Sequence, residues 1–149
     1  MKFIQINPPV YLYTAVLIMV ILHFWLPLID FISYPFTLIG LIPLAYGIIL
    51  NLLADASLKK EDTTVKPLLE TRVLITTGIY KLTRNPMYLG FGMILLGAAI
   101  LLGSLFPFII VLLYPVFMDM IFIRFEERKL EDKFGVIWTE YKNNVRRWF

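Results

Sequence analysis

Hydrophobic residues are gathered into four long runs along the chain, and polar residues fall between and after them. The runs cover residues 10–29, 35–54, 87–105 and 106–125, and each is close to the roughly 20 residues that a helix needs to cross a bilayer. Very short connections join the first run to the second and the third to the fourth, which predicts antiparallel helix pairs. The pattern therefore predicts an all-α integral membrane bundle with four transmembrane helices.

Two polar stretches complete the pattern. Residues 55–84 carry six basic and four acidic side chains, and a connection of this length indicates a folded loop that helps to form a site. Residues 126–149 predict a C-terminal amphipathic helix that lies at the membrane surface and covers a pocket. Its apolar face would carry Leu130, Phe134, Ile137, Trp138, Tyr141 and Val145.

The composition agrees with a membrane protein, which we treat as a single domain over residues 1–149. Hydrophobic residues make up 59% of the chain and charged residues 17%, too little polar surface to cover a soluble globule. The sequence contains no cysteine, which excludes disulfides and a cysteine nucleophile. It also lacks metal-ligand spacing, a glycine-rich phosphate loop and a second histidine, so no metal site is predicted and metal- or serine-based hydrolysis is disfavoured.

Basic residues are distributed unevenly and predict an orientation. All fourteen lysines and arginines lie at Lys2, in the loop at residues 55–84, or from Arg124 onward, whereas the two tight turns hold none. By the positive-inside rule, both termini and the long loop are expected on the cytoplasmic face. This topology places the start of the third run, the end of the fourth run and the amphipathic tail on one side of the membrane.

The start of the third run has the features of an anion-binding lip. Pro86 suits the first turn of a helix, and Asn85 before it is expected to be the N-cap. Arg84 adds positive charge where the first backbone amides of the helix point toward water. Together with nearby aromatic rings and the carboxylates of Glu126 and Glu127, such a lip would suit a small zwitterionic, cationic cofactor. S-adenosylmethionine fits this description, although the residues alone permit it without requiring it.

Two motifs in the second half of the chain resemble a known family. The first is Gly-Ile-Tyr at residues 78–80 followed by Arg-Asn-Pro-Met-Tyr-Leu-Gly at residues 84–90. The second is Glu-Glu-x-x-Leu at residues 126–130, followed by Phe-Gly at 134–135 and Trp-x-x-Tyr at 138–141. Both are similar to the signature of the membrane methyltransferases that include isoprenylcysteine carboxyl methyltransferase and the phospholipid N-methyltransferases. The resemblance implies S-adenosyl-L-methionine as cofactor and a lipid-like or hydrophobic small molecule as acceptor.

The resemblance also implies roles for individual residues. The expected cofactor-binding positions are Arg72, Val73, Leu74, Ile75, Tyr80, Asn85, Pro86, Met87, Tyr88 and Glu126. The expected catalytic residues are Arg84, Glu126 and Glu127, with a glutamate acting as base only if the acceptor must lose a proton. Phe122 stands where the carboxyl methyltransferases have a substrate-binding arginine, so Arg124 is taken as its substitute and prenylcysteine is a poor candidate for the acceptor.

Two other interpretations stay open from the sequence. Asp119, the sole acid within the apolar runs, and the small-residue stripes of the third run suggest a small oligomeric transporter. The same stripes place the third helix at the centre of the bundle. A catalytically silent family member that binds lipid is the other interpretation. The sequence favours no oligomeric state and no particular methylated group, and it indicates no nucleic-acid partner.

Overall fold

The computed structural model describes residues 7–25, 30, 32–60 and 73–148. Within this part of the chain, six α-helices follow one another. They are α1 (Pro8–Trp25), α2 (Leu41–Lys60), α3 (Pro86–Leu102), α4 (Leu105–Met118), α5 (Arg124–Phe134) and α6 (Val136–Asn144). Short 3-10 helices, Phe36–Gly40 and Gly78–Lys81, precede α2 and α3, and a π-helical segment, Asp119–Ile123, joins α4 to α5. The predicted all-α membrane fold is confirmed.

Three helical stretches of the described residues are long and apolar enough to cross a membrane. They are Pro8–Trp25, Phe36–Lys60 and the continuous stretch Leu105–Phe134. The remaining apolar helix, α3, has 17 residues. At about 1.5 Å per residue it is about 25 Å long, slightly less than the hydrocarbon thickness of a bilayer. The protein is therefore an integral membrane protein in which α3 is shorter than these three stretches.

Two elements differ in detail from the sequence prediction. The helix α2 continues to Lys60, so the first part of the predicted loop is helical, with Lys59 and Asp55 paired across one turn at 2.6 Å. The predicted C-terminal amphipathic helix is divided into α5 and α6 at Gly135, where φ is 50° and ψ is −117°. Residues with a Cβ rarely adopt these angles. Residues 61–72, which include the predicted cofactor contact Arg72, lie outside the described residues.

The helix α3 lies at the centre of the bundle, as its small residues predict. It contacts α1, α2 and α4. Its close approach to α2 and to the 3-10 helix before α2 depends on glycine: a Cβ on Gly47 would overlap with the carbonyl of Gly90, and a Cβ on Gly97 would overlap with the carbonyl of Gly40. Backbone contact of this kind is typical of membrane helix pairs. It fixes the start of α3 relative to α2.

The hydrophobic core lies between α1, α3 and α4 and reaches the polar end of α3. His23 on α1 and Ser104 before α4 form a hydrogen bond of 2.8 Å, so the single histidine joins two helices. Met19, Leu95 and Met118 are almost completely buried farther along this core. At the polar end, the core finishes in aromatic side chains, which support the candidate site.

Candidate functional site

Tyr88 and Glu126 meet at the centre of the candidate site. Tyr88 is buried in the first turn of α3, and Glu126 lies in the first turn of α5. The hydroxyl of Tyr88 donates a hydrogen bond of 2.8 Å to Oε1 of Glu126. Hydrogen bonds that involve a carboxylate are stronger than those between neutral groups. This bond brings together the two sequence motifs from positions 38 residues apart.

The ring of Tyr88 is held from two sides. Phe122, which is completely buried, stacks against it with ring centroids 6.2 Å apart. The hydroxyl of Tyr114 donates a hydrogen bond of 3.2 Å to the main-chain oxygen of Tyr88. Phe122 lies in the π-helical segment, and such segments are frequent at functional sites because the extra residue per turn re-aims side chains. The direction of the Tyr88 hydroxyl is thus determined by surrounding packing.

Glu127 follows Glu126 in sequence but has different partners. Nε of Arg147 donates a hydrogen bond of 3.1 Å to Oε1 of Glu127, and Nη2 of Arg147 donates to Oε2. Nη2 of Arg84 lies 3.4 Å from the same Oε1, and the side chains of Arg84 and Glu127 are only 9% and 10% exposed. Glu127 is therefore part of a buried ion network. Glu126, in contrast, has no arginine partner in the part of the chain that the structure describes.

Arg147 also belongs to this network, although it lies in neither of the two sequence motifs. Its Nη1 donates a hydrogen bond of 2.7 Å to Oδ1 of Asp119. Hydrogen bonding to Glu127, together with the charges of Glu127 and Asp119, raises the pKa of Arg147 above its ordinary value. Asp119, the acid that suggested a transporter, is thus ion-paired. Arg124, the predicted substrate residue, also pairs with Asp119 at 2.7 Å, and its side chain is 61% exposed.

The lip, residues 83–86, is bound by the 145–148 segment. The amide nitrogen of Arg84 donates a hydrogen bond of 3.0 Å to the main-chain oxygen of Arg146. The Thr83 hydroxyl and the Asn85 side-chain amide both donate to the main-chain oxygen of Arg147, at 2.9 and 3.2 Å. Pro86 begins α3 as predicted, but the Asn85 side chain makes no capping hydrogen bond. Asn85 is therefore the N-cap residue by position, as predicted, but its side chain binds the 145–148 segment instead of the first turn of α3.

Arg84 extends from the lip across α6. Its guanidinium carbon lies 5.7 Å from the centroid of the Trp138 ring, and Nη1 donates a hydrogen bond of 3.3 Å to the main-chain oxygen of Lys142. Nε of Arg84 and Nε1 of Trp138 are buried and have no hydrogen-bond partner among the described residues. Unpaired buried donors are rare because each costs free energy. These two donors mark a place where a ligand or water would find hydrogen bonds.

Tyr80 and Tyr141 border the site on its polar side. The hydroxyl of Tyr141 donates a hydrogen bond of 2.6 Å to the main-chain oxygen of Tyr80. Burial raises the pKa of Tyr141 to about 12 against an opposing effect of Arg84. Burial also raises the pKa of Tyr80, and the nearby Tyr141 and Glu126 add to this effect. Both phenols are therefore neutral at physiological pH, and Tyr80 lies within electrostatic range of Glu126.

The remaining predicted positions are less closely connected. Val73 is exposed, Leu74 is half-buried and Ile75 is buried. In the described part of the chain, no hydrogen bond or ion pair joins residues 73–75 to Tyr88 or Glu126. Met87 is half-buried beside Tyr88 in α3. The structure thus groups one set of predicted residues around the lip and α5, namely Tyr80, Arg84, Asn85, Pro86, Tyr88, Glu126 and Glu127.

The fold and site define an integral membrane helical protein with a polar, arginine- and carboxylate-containing site at one end of its central helix. Comparison with known proteins gives the family. The phospholipid methyltransferase family matches residues 35–136, well over half of the chain. The chain belongs to the phospholipid methyltransferase family of membrane proteins, and the resemblance inferred from the two motifs is confirmed.

Over 76 residues, 49% of the chain, the sequence is 43% identical to protein-S-isoprenylcysteine O-methyltransferase of Saccharomyces cerevisiae. The aligned region spans 30% of the length of that yeast protein. No solved structure matches the chain.

Proposed function

We propose that the protein transfers a methyl group from S-adenosyl-L-methionine to a lipid-like or hydrophobic small molecule at the cytoplasmic membrane face. The observation that carries this proposal is the hydrogen bond between Tyr88 and Glu126, which unites the two family motifs at the polar end of an apolar bundle. Membership in the phospholipid methyltransferase family supports methyl transfer as the type of reaction. The position of the polar site supports methyl transfer at this end of the bundle.

The side chains at the site fit a zwitterionic cofactor with a positive sulfur. Glu126 offers a carboxylate with no arginine bound among the described residues, which suits an ammonium group. Nε of Arg84 and Nε1 of Trp138 offer buried donors that lack acceptors in the described structure, which suits a carboxylate or a ring nitrogen. The rings of Tyr80 and Tyr88 offer aromatic faces to a sulfonium. When bound, S-adenosyl-L-methionine would supply an electrophilic methyl group.

The protein's own residues would bind and orient the cofactor and the acceptor, and they would exclude water from the site. Methyl transfer depends on aligning three atoms in a line, so fixed side chains matter more than proton transfer. Phe122 and Tyr114 fix Tyr88, and Tyr88 in turn orients Glu126. If the acceptor must lose a proton, Glu126 is the carboxylate proposed to take it. Glu127 is proposed to hold α5 in position, because arginines bind both of its oxygens.

The acceptor is proposed to reach the site sideways through lipid. The outer surface of the bundle exposes large apolar side chains, such as Ile42 on α2 at 70% and Leu112 on α4 at 74%. Such a surface suits contact with hydrocarbon. An acceptor dissolved in the bilayer would meet this surface directly. The transporter alternative is not favoured, because Asp119, its main support, is ion-paired with Arg124 and Arg147.

Calorimetric titration with S-adenosylhomocysteine tests the proposed cofactor site. Purified protein in nanodiscs should bind this product analogue, and Glu126→Gln should weaken binding by at least about tenfold because a buried charged contact is lost. Glu140→Gln is the matched control, since Glu140 is an exposed glutamate on α6. Equal affinity of Glu126→Gln and wild type would remove Glu126 from the site, and no binding by wild type would overturn the choice of cofactor.

Native membranes incubated with labelled cofactor then test the acceptor. A labelled hydrophobic product is expected in the lipid extract, and its chemistry would identify the methylated group. Binding of S-adenosylhomocysteine without any labelled product in native membranes would favour the catalytically silent, lipid-binding alternative.

A further inference from the structure

Arg147 contacts three separate parts of the candidate site. Its side chain binds Asp119 in the π-helical segment and Glu127 in α5, and its main-chain oxygen accepts hydrogen bonds from the lip. We infer that Arg147 is a positioning residue that fixes α5 and its carboxylates relative to the lip at the start of α3. The consequence for cofactor binding depends on the proposed function, whereas the geometric statement does not.

The side-chain contacts use the shape of the guanidinium group. Nε and Nη2 bind the two oxygens of Glu127, and Nη1 reaches Asp119 at 2.7 Å. The side chains of Glu127 and Asp119 are only 10% and 16% exposed. Removing the arginine would leave Glu127 with only the 3.4 Å contact to Arg84 and Asp119 with only the exposed Arg124, so two poorly solvated carboxylates would each lose a close partner. A lysine retains the charge but not the planar fork that binds two carboxylates at once.

The main-chain contacts attach the same residue to the lip. The oxygen of Arg147 accepts hydrogen bonds from both Thr83 and Asn85, and the preceding oxygen accepts one from the amide of Arg84. Trp148, the next residue, packs against the hydrophobic core. The 145–148 segment is therefore held at the lip by hydrogen bonds and at its end by apolar contact, so that the Arg147 side chain extends from a fixed backbone.

The position of α5 explains why such a connection is needed. The helix α3 is fixed at its side by glycine contacts with α2. Among the helical elements, α5 packs chiefly against its neighbours in the chain, the π-helical segment and α6. Glu126, which must meet Tyr88 of α3, lies on this α5 helix. Arg147, together with the contact between Arg84 and Glu127, thus holds α5 where the bond of 2.8 Å between Tyr88 and Glu126 can form.

Distance measurements between spin labels test this inference without any ligand. The chain has no native cysteine, so Lys81→Cys before the lip and Asp132→Cys on α5, both at exposed positions, give one pair of labels. We expect a narrow distance distribution in the otherwise unchanged protein and a broadened or shifted one in Arg147→Gln. Arg128→Gln is the matched control, because Arg128 is an exposed arginine on α5.

Titration with S-adenosylhomocysteine supplies the functional readout. Arg147→Gln is expected to bind about tenfold more weakly than wild type, as for other residues coupled within one charged network. Arg147→Lys should be intermediate in both measurements, and Arg128→Gln should match wild type. If Arg147→Gln does not fold, Arg147→Lys decides: wild-type distances and affinity in that variant would overturn the inference.

The two proposals fail in different ways. Unchanged distances and affinity in Arg147→Gln would overturn the positioning role while the proposed function stands. A wild-type protein that does not bind S-adenosylhomocysteine would overturn the proposed cofactor, and the spin-label distances would still decide the role of Arg147.

Discussion

Glu126 and Glu127 are adjacent in sequence, yet each faces a different environment. Successive residues of a helix point about 100° apart, so neighbouring side chains on α5 reach different elements. Glu126 meets the phenol of Tyr88, and Glu127 meets the guanidinium groups of Arg147 and Arg84. Glu126 thus pairs with a neutral phenol, and Glu127 pairs with two guanidinium groups. The Glu-Glu motif alone does not distinguish these two environments.

Replacing Tyr88 with phenylalanine tests the contact that unites the two motifs. Tyr88→Phe keeps a ring for Phe122 to stack on and the main-chain oxygen that Tyr114 binds, but it removes the donor to Glu126. A hydrogen bond to a charged group contributes about 1.5–3 kcal/mol, so binding of S-adenosylhomocysteine is expected to weaken by about tenfold or more. Titration calorimetry measures the affinity, and thermal unfolding confirms that the variant is folded.

Tyr46→Phe is the matched control for this variant. Tyr46 lies on α2 and is 48% exposed on the outer surface of the bundle. Its substitution should change neither the affinity nor the unfolding temperature. An affinity of Tyr88→Phe equal to that of Tyr46→Phe would show that the hydroxyl of Tyr88 does not prepare Glu126 for a ligand.

The sequence predicts a helix well where a long apolar run forms it. It predicts helix ends less well where charged residues continue a helix or a single glycine interrupts one. The four apolar runs correspond to α1, α2, α3 and α4, because burying or membrane-embedding an apolar helix leaves a clear pattern. The end of α2 was missed because residues 55–60 form a charged helix, which has no apolar signal. Gly135 divides the predicted amphipathic helix, and the predicted apolar face is only partly buried: Trp138 is 1% exposed, whereas Ile137, its neighbour in α6, is 62% exposed. Successive side chains of a helix point about 100° apart, so the two need not share one environment.

The glycine contacts between α2 and α3 predict different effects at two glycines of one helix. Gly90→Ala would place a Cβ against Asn51 and the carbonyl of Gly47, so we expect a loss of about 1–3 kcal/mol in the free energy of unfolding from overpacking. Gly92→Ala would place its Cβ 3.5 Å from the Tyr114 ring, an ordinary contact. Because alanine favours helix more than glycine by up to about 1 kcal/mol, Gly92→Ala should be neutral or stabilising.

Denaturation of both variants in the same detergent measures this difference. Equal unfolding free energies for Gly90→Ala and Gly92→Ala would mean that the close approach of α2 and α3 does not limit the stability of the bundle. It would also weaken the view that α3 is the fixed element against which α5 is positioned.

The candidate site combines contacts that sequence spacing can suggest with contacts that it cannot. The grouping of Tyr88 with Glu126 follows from two motifs that resemble one family. The role of Arg147 does not, since its partners lie 28 and 20 residues away for the side chain and more than 60 residues away for the main-chain oxygen. Such contacts arise from the folded path of the 145–148 segment, and no local pattern encodes them.

The distribution of basic residues predicts how the molecule is oriented in the membrane. The basic residues of the described structure lie at the end of α2, around the lip, along α5, and at and after the end of α6, whereas the connection before α2 has none in its described part. Positively charged loops remain on the cytoplasmic side, so the candidate site is expected to face the cytoplasm. A soluble cofactor would then meet the lip directly, and a lipid-borne acceptor would not have to leave the bilayer.

Single cysteines test this orientation, because the sequence has none of its own. Ser33→Cys lies in the short connection before α2, and Lys60→Cys and Arg128→Cys lie at the opposite end of the bundle; all three positions are exposed. A membrane-impermeant maleimide added to intact cells should label Ser33→Cys alone and should label all three variants after permeabilisation. Labelling of Lys60→Cys or Arg128→Cys in intact cells would place the site on the outer face, where the cytosolic pool of S-adenosyl-L-methionine is absent and methyl transfer from it could not proceed.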